Sequence, residues 1–312
     1  MELGFALSSE DHPPNELVRQ AALAERAGFT FALISDHYHP WIRKQGHAPF
    51  VWSTLGGIAQ ATETIRVGTG VTCPLIRQHP GLVAQAAATV ACMFEGRFFL
   101  GVGTGEQLNE HVFGARWPAP DERLAMLEEA VTIMRLLWRG EDTTYRGEHY
   151  TIDRAQIFDV PDDAVPVYVA ASQPKAAELA GRIGDGLIST APDESVVQTF
   201  GQDKPKLGMI HVAYDTDAEA GLKRAHELWP NTSMAGSGGQ ELPTPKDFED
   251  AAPMVTADDV AETTPHGPDP GPYLELIGKY EDAGFTHVYV HQIGDNQEEF
   301  AEFAKRELFP KL

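Results

Sequence analysis

Eight short apolar runs alternate with stretches of helical periodicity along this 312-residue chain, and no other feature constrains its fold as much. The strand-like runs fall at 3–7, 29–34, 65–72, 97–102, 165–171, 186–189, 207–214 and 285–292. Helical patterns occupy 15–27, 50–62, 82–94, 121–138, 174–183, 218–229, 273–283 and 297–308. The run at 29–34 is apolar at nearly every position and reads as a strand covered on both faces, the condition of a parallel sheet. Gly28 directly before it is the stop that ends a helix. Eight strands with helices between them favour a closed (β/α)8 TIM barrel over an open sheet. Glu25-Arg26-Ala27-Gly28-Phe29-Thr30 and Glu281-Asp282-Ala283-Gly284-Phe285-Thr286 repeat one helix-stop-strand transition, as repeated barrel units would. A hairpin pattern at 143–158 precedes the fifth strand. The segment 230–272, rich in proline and glycine and weakly periodic, reads as an insertion or lid before the last helix–strand unit. Residues 1–312 are expected to form a single domain, a size common for such barrels.

The second strand leads into the stretch with the densest chemistry. Asp36 and His37 follow Leu33-Ile34-Ser35, at the strand end where α/β barrels bind ligands, and Trp41 stands close behind. Gly101, Gly103 and Gly105 follow the apolar run Phe98-Phe99-Leu100, but no helix pattern begins directly after them. No ribose-binding acid stands at the spacing of a dinucleotide-binding turn either, so a nicotinamide site is disfavoured. Residues without side chains would let a flat ring system lie against the barrel mouth, with Glu106 and Asn109 at its edge.

A net charge of −22 and a pI near 4.8 oppose any broad basic face for nucleic acid or anionic membrane. No apolar run approaches the ~18 residues of a membrane span, and the first residues lack the basic start and apolar core of a secretion signal. A cytoplasmic location is expected. Cys73 and Cys92 form no Cys-x-x-Cys pair, and His37 and His39 have no third ligand at recognisable spacing, so neither a disulfide framework nor a metal site is expected.

Ser35-Asp36-His37 with Trp41, the run Gly46-His47-Ala48-Pro49-Phe50, and Gly101-Val102-Gly103-Thr104-Gly105-Glu106-Gln107-Leu108-Asn109-Glu110 occur in a telling order. Val165-Pro166-Val167-Tyr168-Val169-Ala170-Ala171 and Gly184-Asp185-Gly186 follow them. Together they resemble the luciferase-like superfamily of barrels. Within it, they are most similar to the deazaflavin-dependent branch that includes coenzyme F420-dependent glucose-6-phosphate dehydrogenase. The likeness runs through nearly the whole chain and fades between 191 and 269. It implies coenzyme F420 as cofactor, with Glu106 near the deazaflavin ring and Asp36, Asn109 and Thr190 in contact with the cofactor. It implies a cis peptide between Gly70 and Val71 beneath the ring, backbone contacts from Ala170 and Ala171 to the cofactor phosphate, and Glu10 as an acid on the substrate side. Ser172-Gln173 departs from the glycines usual after the two alanines. The resemblance further implies a homodimer formed through helices flanking the early strands, where Ala84, Ala87, Ala88 and Ala91 offer a small-residue face.

A deazaflavin exchanges a hydride, so the protein must supply proton transfer and positioning. His37 is the natural proton carrier, with Trp41 walling the substrate position. The substrate is where the likeness strains. Sugar-phosphate enzymes of the branch grip phosphate with bases after the sixth strand and in the insertion. This chain has Ala191-Pro192-Asp193-Glu194-Ser195 there, and Lys246 nearly alone within the insertion. An alcohol or carbonyl compound without phosphate is therefore expected rather than glucose-6-phosphate. An F420-dependent sugar-phosphate dehydrogenase, an FMN-dependent monooxygenase on the same barrel, and a protein that merely stores cofactor are the alternatives.

Overall fold

In the computed structural model, which describes residues 1–201, 203–233 and 237–312, the eight expected strands close into a parallel barrel. In chain order the strands are β1 (Glu2–Leu7), β2 (Phe31–Ile34), β3 (Arg66–Thr69), β4 (Phe98–Val102), β5 (Thr143–Arg146), β6 (Thr151–Ala155), β7 (Val167–Ala170), β8 (Gly186–Ser189), β9 (Lys206–Val212) and β10 (His287–Gln292). Around the barrel they run β1-β2-β3-β4-β7-β8-β9-β10 and back to β1, all parallel. β5 and β6 pair antiparallel as the separate hairpin expected at 143–158. The fold is a (β/α)8 barrel.

Ala6, Phe31, Leu33, Phe99, Ile188, Leu207 and Tyr289 fill the barrel interior. Two of these rings fit only because glycine faces them: a Cβ on Gly4 would come within 2.5 Å of the Phe31 ring, and one on Gly68 within 2.2 Å of Phe99. The larger core lies between the strands and the surrounding helices. In both copies of the repeated hexapeptide the glycine is left-handed, with φ 105° at Gly28 and 92° at Gly284. The following phenylalanine amide then bonds back to the helix, Phe29 N to Ala24 O and Phe285 N to Tyr280 O, each at 3.0 Å.

Where the structure differs from the sequence-based expectation, the elements are short or their partners distant. A one-turn helix, Gln107–Glu110, does begin directly after Gly105, too short for periodicity to register and far short of the helix a dinucleotide-binding turn opens. The helix Glu194–Phe200, missing from the sequence reading, supplies the crossover that parallel β8 and β9 require. Asp193 caps it by accepting from the amides of Ser195 and Val196, and Val196, Val197 and Phe200 are buried. The insertion 230–272 contains two short helices, Pro245–Ala251 and Ala257–Thr263. Each opens with a capping box, Thr244 with Asp247 and Thr256 with Asp259; residues 234–236 of the segment lie outside the described residues.

The expected dimer face needs correcting. Ala84, Ala87, Ala88 and Ala91 are all buried in the chain's own core, where the helix Pro80–Phe94 packs against the helix Pro120–Leu137. Their small size serves that internal contact and leaves no alanine face open to a second copy. Among the described residues no helix is long and apolar enough to cross a membrane.

Candidate active site

The loops at the C-terminal ends of β1, β2 and β4 bring Glu10, His37, Trp41 and Glu106 together. His37 Nδ1 lies 3.1 Å from the carbonyl oxygen of His39. A carbonyl only accepts, so Nδ1 carries a hydrogen; the neutral ring then has its lone pair on Nε2, and the imidazolium has a second N–H there. That nitrogen faces Glu10 Oε1 at 3.4 Å and Glu106 Oε2 at 4.0 Å. Glu10 is buried and held by hydroxyls, with Ser35 Oγ donating at 2.7 Å and Ser8 Oγ at 3.0 Å. The Trp41 ring stands 5.0 Å from the imidazole, tilted by 56°. The arrangement is one proton-accepting nitrogen between two carboxylates, walled by an indole.

Beneath it lies a buried ion-pair chain. Asp36 Oδ1 accepts from Arg77 at 2.9 Å and Oδ2 from Gln78 Nε2 at 2.7 Å. Gln78 in turn accepts from the Trp52 indole at 2.7 Å. The Arg77 backbone amide donates to Glu110 at 2.8 Å, and its Nε lies 3.4 Å from the same carboxylate. Burial pushes the Glu110 carboxyl above its ordinary value, against the pull of Arg77. Asn109 Oδ1 accepts from the amides of Tyr38 at 2.9 Å and His39 at 3.2 Å, and its amide nitrogen reaches Glu106 Oε2 at 3.3 Å. The side chains of Asp36 and Asn109, which the resemblance places in contact with the cofactor, are buried and bonded within the protein. They hold the 36–39 loop and Glu106 in place. Arg77, Gln78 and Glu110 escaped sequence reasoning because their partners lie 33 to 42 residues away.

The peptide between Gly70 and Val71 is cis, at the position the resemblance assigned. Val71 is half-buried and packs against the inner core beside Ala170. Gly101 at the end of β4, and Gly103 and Gly105 after it, are closely packed by their neighbours. A Cβ on Gly101 would lie 2.0 Å from Thr69 O, one on Gly103 2.8 Å from Val71 and one on Gly105 2.6 Å from Cys73 Sγ. They let the chain after β3 approach closely; they do not leave an open shelf. Thr69 Oγ1 donates to Gly101 O at 2.7 Å across this contact.

Ala170 ends β7, Ala171 is buried, and Ser172 and Gln173 are exposed. The helix Pro174–Ile183 then starts with no side-chain cap. Its first amides are of the kind that favour an anion. Lys175 pairs with Asp121 at 2.6 Å and Arg182 with Glu128 at 2.8 Å. Thr190 is exposed just past β8.

The insertion seats a phenylalanine against the mouth. Phe248 is buried, meets the Trp41 ring edge-on at 5.1 Å, and clusters with Ile42 and Leu108. Arg43 pairs with Glu249, Lys44 with Glu227 at 2.7 Å, Arg123 with Glu241 at 3.1 Å and Lys246 with Asp250 at 2.6 Å. Across the mouth, sequence reasoning also passed over His211 and His291, although both stand near the C-terminal ends of barrel strands, β9 and β10. Among the described residues no group of three or more His, Cys, Asp or Glu could hold a metal ion.

The model of the luciferase-like monooxygenase family matches residues 1–287. F420-dependent glucose-6-phosphate dehydrogenases of Nocardia farcinica and Rhodococcus erythropolis are 38% and 37% identical to this chain, over all of it and 98% of each relative. A solved F420-dependent secondary alcohol dehydrogenase, in complex with an F420-acetone adduct, superposes with a TM-score of 0.91 at 28% identity, covering 98% of both chains. The coenzyme F420-dependent tetrahydromethanopterin reductase of Methanopyrus kandleri shares the fold, with a TM-score of 0.80 at 20% identity over 99% of this chain and 98% of that one. With a closed parallel barrel, a cis peptide after β3 and a family match spanning nearly the whole chain, the protein belongs to the luciferase-like monooxygenase family.

Proposed function

We propose that the protein is a coenzyme F420-dependent oxidoreductase that moves a hydride between the deazaflavin and an alcohol or carbonyl substrate lacking phosphate. The observation that carries this reading is His37, an imidazole whose free Nε2 faces two carboxylates beside an indole wall. The residues present fit the coenzyme. The uncapped helix start after Ala170 and Ala171 suits its phosphate, Val71 offers an apolar surface at the top of the barrel, and Glu106 and Thr190 stand at the rim. When bound, a deazaflavin gives or accepts a hydride and does not readily pass single electrons.

The remaining work belongs to this chain. In the oxidising direction His37 Nε2 takes the substrate hydroxyl proton, and the resulting imidazolium sits between Glu10 and Glu106. In the reducing direction it returns that proton to the carbonyl oxygen. Trp41, backed by Phe248, limits water at the reacting carbon. Asp36, Arg77 and Asn109 keep the loops that carry His37 and Glu106 from shifting.

The neutral substrate is supported by the ion pairs around the mouth. Arg43, Lys44, Arg123 and Lys246 are each engaged by a carboxylate, and a dianionic phosphate would have to displace one to offset its desolvation. The names of the relatives favour a second reading, a sugar-phosphate dehydrogenase. A rate assay following deazaflavin absorbance with neutral secondary alcohols and glucose-6-phosphate in parallel separates the two. A higher kcat/KM for the neutral alcohols is expected; efficient turnover of the sugar phosphate would replace this reading with the second.

A further inference from the structure

We propose that His211, oriented by His291 and Asp11, is a second substrate-contacting group, accepting a hydrogen bond from a hydroxyl other than the one oxidised, so that the site favours substrates carrying two or more hydroxyls. The inference rests on the oxidoreductase reading and names a narrower substrate class for the same site. Its starting point is the loop after β1, where two adjacent carboxylates serve two different imidazoles. Glu10 faces His37, while Asp11 Oδ2 lies 3.2 Å from His291 Nε2. Asp11 also accepts from the Trp229 indole, at 2.8 Å and 3.0 Å to its two oxygens, and with His291 it is buried.

The hydrogens in this chain follow from what each atom can do. His291 Nδ1 and His211 Nδ1 are 2.9 Å apart, a hydrogen bond that needs one hydrogen. A carboxylate only accepts, so His291 donates through Nε2; with that ring in its neutral form, the lone pair stands on Nδ1. The hydrogen between the rings therefore belongs to His211 Nδ1. His211 Nε2 is left as an acceptor, and among the described residues no side chain or backbone group bonds to it. Burial and the neighbouring His291 hold the His211 imidazole well below its ordinary value, which favours the neutral form of His211 itself.

His211 lies on the same face of β9 as Leu207 and Met209, which pack inside the barrel, so it projects into the mouth and is only half-buried. Trp229 backs both rings, at 5.5 Å from His211 and 4.4 Å from His291. Trp229 and Trp41 belong to one apolar cluster, which places the His211 side and the His37 side under one cover. The mouth thus presents two imidazole lone pairs, one for the reacting hydroxyl and one for another. A lone pair attracts hydroxyl donors and repels phosphate or carboxylate oxygens.

The test compares kcat/KM for cyclohexanol and cis-cyclohexane-1,2-diol in the F420-loaded enzyme, wild type and His211→Phe, with His211→Gln as a variant that restores an acceptor. The wild type should favour the diol, and His211→Phe should lower that preference by about tenfold or more, because a site built to bond a hydroxyl discriminates by its presence. His211→Gln should recover part of the preference. A wild type indifferent to the second hydroxyl, or a preference unchanged by His211→Phe, would overturn the inference. Failure of either alcohol to reduce the deazaflavin in a wild type that turns over no alcohol or carbonyl at all would instead overturn the oxidoreductase reading.

Discussion

The floor of the site and its lid use the same kinds of residue but differ in what water can reach. Beneath His37, the Arg77 side chain is 4% exposed, with Asp36 at 1% and Glu110 at 0%. Over the mouth, Arg43 and Glu249 are 69% and 30% exposed, and within the lid Lys246 and Asp250 67% and 65%. Exposed pairs contribute about 0–1 kcal/mol each, whereas removing one member of a buried pair costs about 3–5 kcal/mol by stranding a charge. The floor therefore sets the geometry of the reacting groups. On the lid, Phe248 is seated against Trp41, Ile42 and Leu108, and Val255 and Val260 pack with Ala213, Ala225, Trp229 and Ile293, so apolar contact rather than the exposed ion pairs holds it.

The sharpest break of this contrast removes the group the floor positions. His37→Ala should lower turnover by roughly 10²–10⁴-fold while cofactor affinity stays nearly unchanged, which steady-state rates and a cofactor titration would read together. Next comes the floor itself. Arg77→Leu should cost about 3–5 kcal/mol in urea unfolding, since Asp36 and Glu110 lose their shared cation. A cost under about 1 kcal/mol would show that the chain is not the anchor described. On the lid, Phe248→Ala should raise KM by about tenfold and alter kcat less, as expected for lost uniform binding. An equal fall in kcat would mean that the lid shapes the reacting geometry. The smallest effect belongs to Glu249→Gln, which should change stability by less than about 1 kcal/mol, and less still in high salt.

The same contrast governs how much of the molecule was legible in the sequence. The barrel was readable because each strand is an apolar run closed by turn residues, and because Gly28 and Gly284 announce the same helix stop twice. His37 and Trp41 were singled out because they follow a strand end, and Glu10 came from the resemblance; the structure brings the three together. The floor was not legible, since Asp36 and Arg77 meet across 41 residues with nothing local to pair them. Ala84, Ala87, Ala88 and Ala91 looked like an open face because periodicity reports a stripe of small residues without saying what covers it. Gly101, Gly103 and Gly105 were read as a need for space, and the neighbour that takes it is the end of β3 and the chain after it. Weak periodicity hid the lid helices, although Thr244-x-x-Asp247 and Thr256-x-x-Asp259 carried their start signals.

The central claim is that these residues serve a deazaflavin rather than a flavin. Titrating the purified protein with coenzyme F420 and, separately, with FMN, each followed by cofactor fluorescence, tests it most directly. Saturable binding of F420, retained in His37→Ala, is the expected result; saturable binding of FMN alone would contradict it.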